Sequence, residues 1–217
     1  YKGEEKQIVR KAAFTDLLST ICEKIYFNTP VIVNEAVNKN HPTTNSVNSR
    51  SKIVSGLLRS ELEPNLGLAG AGQEVSILRS TLIRTGILDT KNGVPKVNLH
   101  PHDYLMANLL GEIEKFVREA REQKMSFAEL YARLTTDKCY IGLRRGLVPI
   151  YVATVFHEYK KEIIIYDKFS QVPLNNDTLL QIEAAPQDFA LQCLDWNNEK
   201  DEYVDALANV FKDYVVE

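Results

Sequence analysis

Residues 140–159 read YIGLRRGLVPIYVATVFHEY, and this stretch organises our interpretation of the whole chain. Its second part, residues 147–159, is an apolar run that predicts a helix. Its first part places Arg144 and Arg145 between Gly142 and Gly146. This pattern predicts two guanidinium groups at a helix entrance, where arginine binds phosphate or the carboxylates of an acidic partner. The alternative is a structural turn in which an arginine pairs with Glu or Asp, and for each arginine alone we favour that turn.

Apolar residues recur at helical spacing on both sides of this stretch. The spacing predicts helices at residues 4–26, 74–85, 103–123, 126–134, 176–185 and 198–216, and one helix that includes residues 53–62 after a cap at Ser46 or Asn48. Two hairpins are predicted, one at residues 87–99 around Asn92-Gly93 and one at residues 163–174. The predicted fold class is therefore mainly α with short β-hairpins (α+β), arranged as helical, winged-helix-like units.

The order of helices followed by a hairpin occurs twice along the chain, which predicts two units. The first is residues 1–99, a helical, winged-helix-like unit with a basic helix, and the second is residues 100–217, which ends in an acidic helix. Because no low-complexity linker separates the two segments, a single compact body is the alternative.

Composition limits the classes of protein to which the chain can belong. Hydrophobic residues make up 44% and charged residues 25% of the 217 positions, as in ordinary globular proteins. No apolar run reaches the length that spans a bilayer, and the first residues do not resemble a signal peptide. The three cysteines are odd in number and widely spaced, which favours a reducing, cytoplasmic location. Because the chain begins at Tyr1 in charged helical sequence, we expect it to be part of a longer polypeptide.

Motifs that carry catalysis or bind cofactors are not recognisable in the sequence. The glycine-rich segment 67–72 is followed by Gln73-Glu74, whereas a phosphate-binding loop needs lysine and then Ser or Thr there. The segment from His100 to Asp103 is the one cluster worth testing as a metal site, and an exposed loop that enters a helix explains it better. We therefore predict no catalytic residues, no metal and no cofactor.

Two further groups of polar residues are candidates for contact. Arg50, Lys52 and Arg59 lie in a stretch with no acidic residue before Glu61, which makes them candidates for binding DNA or another anion together with Arg144 and Arg145. Asn34, Glu35 and Asn38 fall within one helical turn and are predicted to brace a loop against a helix. A ligand-binding role for these three residues is the alternative.

Two separated sets of residues together resemble a known family. The first set is Thr29-Pro30, Asn34-Glu35, Asn38, Arg50, Leu66-Gly67-Leu68, Glu74, Arg79-Ser80 and Leu82. The second set is Ile141–Gly146, Pro149, Ile164, Tyr166, Val172-Pro173, Pro186 and Phe189. Their order resembles the later region of very large bacterial ATPases associated with phage-defence and restriction loci, of the BREX-like kind. The resemblance covers most of the chain and includes no catalytic motif.

The resemblance implies an ATPase core outside this chain and a helical segment that serves assembly or DNA engagement. Our first hypothesis is a non-catalytic module of a phage-defence ATPase that contacts double-stranded DNA or couples to other domains or subunits of a defence complex, with no membrane partner. The second is a purely structural protein-interaction scaffold. The third is an enzyme with a dispersed site, formed by residues such as Glu35, Arg50 and His157. The apolar helix 147–159 is too hydrophobic to serve as a DNA recognition helix, so DNA contact is assigned to the first unit.

Overall fold

Helices make up most of the described chain. A computed structural model describes residues 10–39, 43–90 and 95–211, together with Gly3 and Gly93. The α-helices are α1 Lys11–Ile25, α2 Glu35–Asn38, α3 Thr44–Leu57, α4 Gln73–Leu78, α5 Tyr104–Glu119, α6 Phe127–Thr135, α7 Val148–Tyr159, α8 Asn176–Ala184 and α9 Asn198–Phe211. A π-helical segment, Arg79–Ile83, extends α4, and 3-10 turns lie at Pro64–Gly67, Arg145–Leu147 and Pro186–Asp188.

Short antiparallel strands complete the fold. β1 Leu88–Asp89 pairs with β2 Lys96–Val97, and the remaining strands are β3 Met125–Ser126, β4 Ile163–Tyr166, β5 Gln171–Val172 and β6 Ala190–Cys193. These four strands form one sheet in the order β3-β6-β4-β5. Both predicted hairpins are confirmed, and so is the α+β class, although Asn92 of the first turn lies outside the described residues. The winged-helix assignment stays a prediction.

Helix α7 lies at the centre of the core. All of its residues from Val148 to Phe156 are buried, and the helix packs against α3, α5 and α8. The Tyr151 ring is fully buried, and its hydroxyl donates to the carbonyl of Thr81 at 3.4 Å. The apolar run 147–159 is therefore helical, as predicted, because helices on several sides remove it from water. Within the described ranges, no helix combines the length and the apolarity that crossing a membrane requires.

The buried apolar side chains form one continuous cluster. It extends from Ile32 and Ile53 in the first segment to Leu109 and Leu191 in the second. Residues 1–99 and 100–217 therefore share a core, since α3 of the first segment packs on α7 of the second.

Side-chain caps define where several helices begin. Ser126 Oγ accepts a hydrogen bond from the amide of Ala128, which confirms the predicted cap of α6. Helix α3 is instead capped by Thr43, whose Oγ1 accepts from the amide of Ser46 at 3.2 Å. The predicted cap at Ser46 or Asn48 is therefore wrong, because both residues lie within the helix.

One glycine is required by a close approach within the first segment. A Cβ built at Gly56, near the end of α3, would lie 2.7 Å from both the Cβ and the carbonyl oxygen of Leu66. Leu66 is buried with a φ of 57°, in the left-handed region, so its backbone is already held in a strained conformation. A side chain at position 56 must therefore displace a backbone that has little freedom to move.

We predict opposite effects for two glycine-to-alanine substitutions in helices. Gly56→Ala is expected to lower the free energy of unfolding by about 1–3 kcal/mol, because the added methyl group overlaps Leu66. Gly111→Ala in α5 is the matched control, since a Cβ there meets nothing within 4 Å. It is expected to raise stability by up to ~1 kcal/mol through helix propensity. Urea unfolding followed by circular dichroism measures the free energy of unfolding of both variants. Equal effects would contradict a steric origin for the loss of stability in Gly56→Ala.

Candidate functional site

A groove of about 1270 Å³ opens between elements of the two segments. It lies among the C-terminal end of α1, helices α2 and α3, the loop 142–146 and helix α8, and we call it the α3–α8 groove. Three of the five predicted anion-contacting residues, Arg50, Arg144 and Arg145, line this groove. The structure thus brings together arginines that are nearly a hundred positions apart in the sequence.

Arg50 forms a bidentate ion pair at the floor of the groove. Its Nη1 and Nη2 atoms donate to the two carboxylate oxygens of Glu183 in α8, at 3.0 and 2.6 Å. Nη1 also donates to the carbonyl of Gly146 at 2.8 Å. The side chain of Arg50 is 5% exposed, so the structure places this residue inside the protein and not on a surface that could face DNA.

Burial controls the electrostatics of this pair. Removing the Glu183 carboxylate from water raises its pKa above the ordinary value, and the positive charge of Arg50 opposes that shift. Arg50 Nε is buried and has no hydrogen-bond acceptor among the described residues. The guanidinium depends on this carboxylate, because Arg50 is buried, whereas Glu183 is half-buried and faces the groove.

The loop 142–146 is held against α1 and α3 by close contacts. The amide of Gly142 donates to Oγ1 of Thr29 at 2.8 Å, and a Cβ at Gly142 would lie 2.7 Å from the Tyr26 ring. A Cβ at Gly146 would lie 2.9 Å from Arg50 Nη1. Both glycines that flank the paired arginines in the sequence are therefore needed for close approach to neighbouring groups.

Arg144 and Arg145 are exposed at the edge of the groove. Arg145 Nη2 donates to the carbonyl of Glu183 at 2.5 Å, and its guanidinium lies 5.2 Å from the centre of the Tyr131 ring. These contacts are with a carbonyl and an aromatic ring, and the positive charge of Arg145 also acts to lower the pKa of the nearby Glu183 carboxyl, which burial raises.

Lys52 and Arg59, the other two predicted anion contacts, lie outside the groove. Lys52 Nζ pairs with a carboxylate oxygen of Glu74 at 2.8 Å, and Arg59 pairs with Glu63. Both cations remain about half exposed, at 57% and 48%. Their positive charge is therefore available at the surface but is partly offset by an acidic neighbour.

The predicted brace residues lie at the start and the end of α2. Asn34 caps this helix by accepting from the amide of Ala36, and its Nδ2 donates to Ser80 at 2.9 Å. Asn38 Nδ2 donates to the carbonyl of Ile32 at 2.7 Å, whereas Glu35 is exposed. Asn38 thus makes a bond within the 31–39 segment, and Asn34 connects that segment to the π-helical segment that extends α4.

Two residues that we considered for chemistry, Asp103 and His157, occupy structural positions. Asp103, at the end of the tested His100–Asp103 segment, caps α5 by accepting from the amides of Leu105 and Met106. His157 Nδ1 lies 2.7 Å from the carbonyl oxygen of Leu57, and burial lowers the pKa of this histidine. Among the described residues, no three His, Cys, Asp or Glu side chains are grouped so that they could hold a metal ion.

Glu183 is the site residue that the sequence analysis missed. It lies 133 positions after Arg50, in a helix with ordinary amphipathic spacing, so local pattern does not connect the two. The alternative of pairing with an acidic residue was predicted for Arg144 and Arg145, whereas the bidentate pair is made by Arg50. No signal in a single sequence identifies which acidic residue serves as the partner.

Comparison of the chain with known protein families gives no match. The curated proteins to which we compared it show no significant similarity. The solved structures show none either.

We predict that breaking the Arg50–Glu183 pair destabilises the protein in a pH-dependent manner. Arg50→Met is expected to lower the free energy of unfolding by about 1–3 kcal/mol near neutral pH, because it leaves a half-buried carboxylate without its partner. The folded-state pKa of Glu183, already raised, rises further in this variant. The folded state then binds the proton more tightly than the unfolded state, so stability falls as the pH rises through that pKa and recovers on acidification.

The double variant Arg50→Met/Glu183→Leu is the control for this experiment. It removes both charges, so we expect it to regain most of the lost stability and to lose the added pH dependence. Urea unfolding between mildly acidic and mildly basic pH measures the difference. A deficit in Arg50→Met that is the same at every pH would contradict our account of the pair.

Proposed function

We propose that this chain is a non-catalytic module that couples neighbouring parts of a larger assembly. The observation that supports this proposal is that the first and last described helices, α1 and α9, both carry an uncovered apolar stripe. Elsewhere, the apolar faces of the helices are packed into the core described above.

Helix α1 has the spacing of an amphipathic helix but buries none of its residues. Phe14, Leu18 and Ile25 lie on one face, and each is between 40 and 49% exposed. The side chains of the following residues do make contacts, since the rings of Phe27 and Tyr140 stack at 4.8 Å. The end of α1 is thus attached to the body of the protein, whereas its apolar face is open to water.

Helix α9 carries a second stripe of the same kind. Tyr203, Val204, Leu207, Val210 and Phe211 recur at helical spacing and are between 39 and 69% exposed. Monomeric soluble proteins rarely leave contiguous apolar patches uncovered, and helices of this type bind partners through residues at such spacing.

The charge of α9 indicates the chemistry of its partner. The helix contains four acidic residues and one basic residue, Glu199, Asp201, Glu202 and Asp205 against Lys200. A partner helix with an apolar stripe and lysine or arginine on its other faces would therefore bury the α9 stripe and be attracted by its net negative charge. We assign such a basic amphipathic helix, in a neighbouring domain or subunit, as the partner of α9.

The resemblance described above supports a parent protein of the phage-defence ATPase kind. In such a protein the module would connect the ATPase to other subunits and would perform no reaction itself. The widely spaced free cysteines support a cytoplasmic setting. The dispersed enzyme site is less favoured, because Arg50 is paired with Glu183 and His157 is bonded to a backbone carbonyl.

We predict that α9 distinguishes between two designed peptides. Both are amphipathic helices with the same leucine stripe, and their remaining faces carry lysine in one and glutamate in the other. The lysine peptide is expected to bind at least about tenfold more tightly at low salt, and the difference is expected to shrink as salt screens the charges. Fluorescence anisotropy with labelled peptides measures both affinities.

Two variants show whether such binding occurs at the stripe. Leu207→Gln removes apolar surface from the centre of the α9 stripe and is expected to weaken binding of the lysine peptide. Phe169→Gln is the matched control, because Phe169 is 92% exposed in the β4–β5 turn and belongs to neither stripe. Equal affinity for the two peptides, or self-association of the chain through α9, would contradict a separate basic partner.

Double-stranded DNA is the second candidate partner. Lys52 and Arg59 are exposed, and Lys160 Nζ donates to the carbonyls of Arg59 and Ser60, which brings another cation beside Arg59. Exposed cations of this kind contact phosphates and make binding depend on salt.

For DNA contact we predict a change in salt dependence. The variant Lys52→Gln/Arg59→Gln is expected to lose two phosphate contacts. Because each contact contributes ~0.9 to the slope of log affinity against log salt concentration, the slope is expected to decrease in magnitude by about 1.8. The control Lys115→Gln/Arg118→Gln removes two exposed charges from α5 and should leave the slope unchanged. Electrophoretic retardation of duplex DNA is the measurement, and absence of retardation by the unmodified chain at low salt would remove this candidate.

A further inference from the structure

We propose that residues 31–33 form an open strand edge that pairs with an extended, acidic segment of another protein. The edge lies beside a cavity that offers space for a side chain and a cation for a carboxylate. This surface includes no residue of the α1 or α9 stripes, so the proposal goes beyond the coupling function and does not depend on it. It also gives a role to Asn34 and Asn38, which hold this segment in place.

The three residues of this segment alternate in burial as a strand does. Val31 is 82% exposed, Ile32 is 8% exposed and Val33 is 84% exposed. Successive side chains of an extended chain point to opposite sides, so a strand that is covered on one face buries every second residue. Asn34, the next residue, also has an extended backbone, with φ −155° and ψ 111°. The segment therefore has the shape of a strand, although none of the described strands pairs with it.

The backbone of this segment has one open edge. In an extended chain, the N–H and C=O groups of one residue point to the same side, and those of the next residue point to the opposite side. The carbonyl of Ile32 accepts from Asn38 Nδ2 at 2.7 Å, so the groups of Ile32 face the protein. Those of Val31 and Val33 point the other way, and none of them is bonded to a group in the described part of the chain. Strand edges with such free groups are where an extended peptide adds as a further strand.

The open edge borders a cavity of about 450 Å³, which we call the α5 cavity. Val31 and Val33 both line this cavity, together with Met106 of α5, whereas Ile32 does not. This is the arrangement expected if the open edge faces the cavity. A β-branched or aromatic residue of an incoming strand would contact the two valines there, and such cross-strand pairs stabilise sheets.

The charges of the α5 cavity favour an acidic segment. Arg84 lines the cavity and is exposed, and its guanidinium makes no ion pair or hydrogen bond with the described residues. Of the described residues that line the cavity, Asp103 is the single acidic one. Its carboxylate is already stabilised at the start of α5, where Oδ1 accepts from the amides of Leu105 and Met106. A carboxylate on the incoming strand would supply Arg84 with the partner that it lacks.

The edge is held in place before a partner binds. Ile32 is buried, Asn34 Nδ2 donates to Ser80 at 2.9 Å, and Asn38 bonds to the Ile32 carbonyl. Pro30, which is also buried, precedes the segment and restricts its backbone. A strand that is already ordered loses little conformational entropy on binding, so more of the interaction energy remains as affinity.

Three short labelled peptides test this proposal on the whole chain. The first alternates valine with glutamate, and the second carries lysine in place of each glutamate. The third is the glutamate peptide with its backbone nitrogens methylated, which removes the N–H donors and keeps every side chain. The glutamate peptide is expected to bind at least about tenfold more tightly than either of the others. Fluorescence anisotropy measures the three affinities.

Hydrogen exchange of single amides shows whether the peptide pairs with the edge. In the ¹⁵N-labelled protein, exchange of the Val31 and Val33 amides with water is measured by NMR with and without the glutamate peptide. At ten times the dissociation constant, the peptide is expected to slow exchange of both amides about tenfold, because they exchange only while it is dissociated. The Ile32 amide points to the other side and is expected to exchange at an unchanged rate, which makes it an internal control.

Substitutions then locate the binding. Val33→Pro removes one N–H donor from the edge and is expected to weaken binding of the glutamate peptide by about tenfold. Val33→Thr keeps that donor and the branched shape, and it is the matched control. Arg84→Gln is expected to bring the affinities for the glutamate and lysine peptides close to each other. Arg118→Gln removes the same charge from an exposed position in α5 that does not line the cavity, and it should preserve the difference.

Three results would overturn the proposal. The first is unchanged exchange of the Val31 and Val33 amides with millimolar glutamate peptide. The second is equal affinity for the methylated peptide, which would mean that no backbone pairing occurs. The third is equal affinity for the lysine peptide, which would exclude an acidic partner. Leu207→Gln, which tests the α9 stripe, is expected to leave binding of the glutamate peptide unchanged, so failure of either proposal is recognised separately.

Discussion

The contact between Arg50 and Glu183 is the constraint on which the arrangement of the site depends. It joins α3 to α8, and through the carbonyl of Gly146 it also fixes the loop that precedes the central helix α7. A charge pair in such a position is expensive to bury and is tolerated where its bonds are complete. Here both carboxylate oxygens accept bonds from the guanidinium, only Nε lacks an acceptor among the described residues, and the pair adds to the α3–α7 packing that joins the two segments.

The sequence was informative where structure follows from local pattern. The apolar run 147–159, the two hairpins and the cap at Ser126 depend on residues close to one another in the chain, and the structure contains all of them. Strand β3 has two residues and is too short to show an alternating pattern, whereas β6 has four and alternates but was not predicted. Both strands belong to the sheet that includes the β4–β5 hairpin. The cap of α3 was misplaced since several hydroxyl and amide residues precede that helix, and any of them is chemically suitable.

The candidate site was predictable only in part, for a related reason. Paired arginines between glycines predict guanidinium groups at a helix entrance, and the structure places that loop at the groove. The sequence also suggested a group formed by Arg50, Lys52 and Arg59. Tertiary packing separates these residues, because the side of α3 that carries Arg50 is covered by α8. Whether a cation on a helix is buried depends on what packs over it, which a single sequence does not contain.

The attachment of α1 to the loop 142–146 has a consequence for how the α1 stripe and the α3–α8 groove relate. Tyr26 and Thr29, which follow α1, contact Gly142, and the last turn of α1 contributes Cys22 and Glu23 to the groove. Any event that shifts this helix must therefore reshape the cavity wall. By thermodynamic reciprocity, occupancy of the cavity would then alter the affinity of α1 for whatever it binds, in the same proportion. The apolar stripe of α1 and the wall of the α3–α8 groove are thus joined through Tyr26 and Thr29.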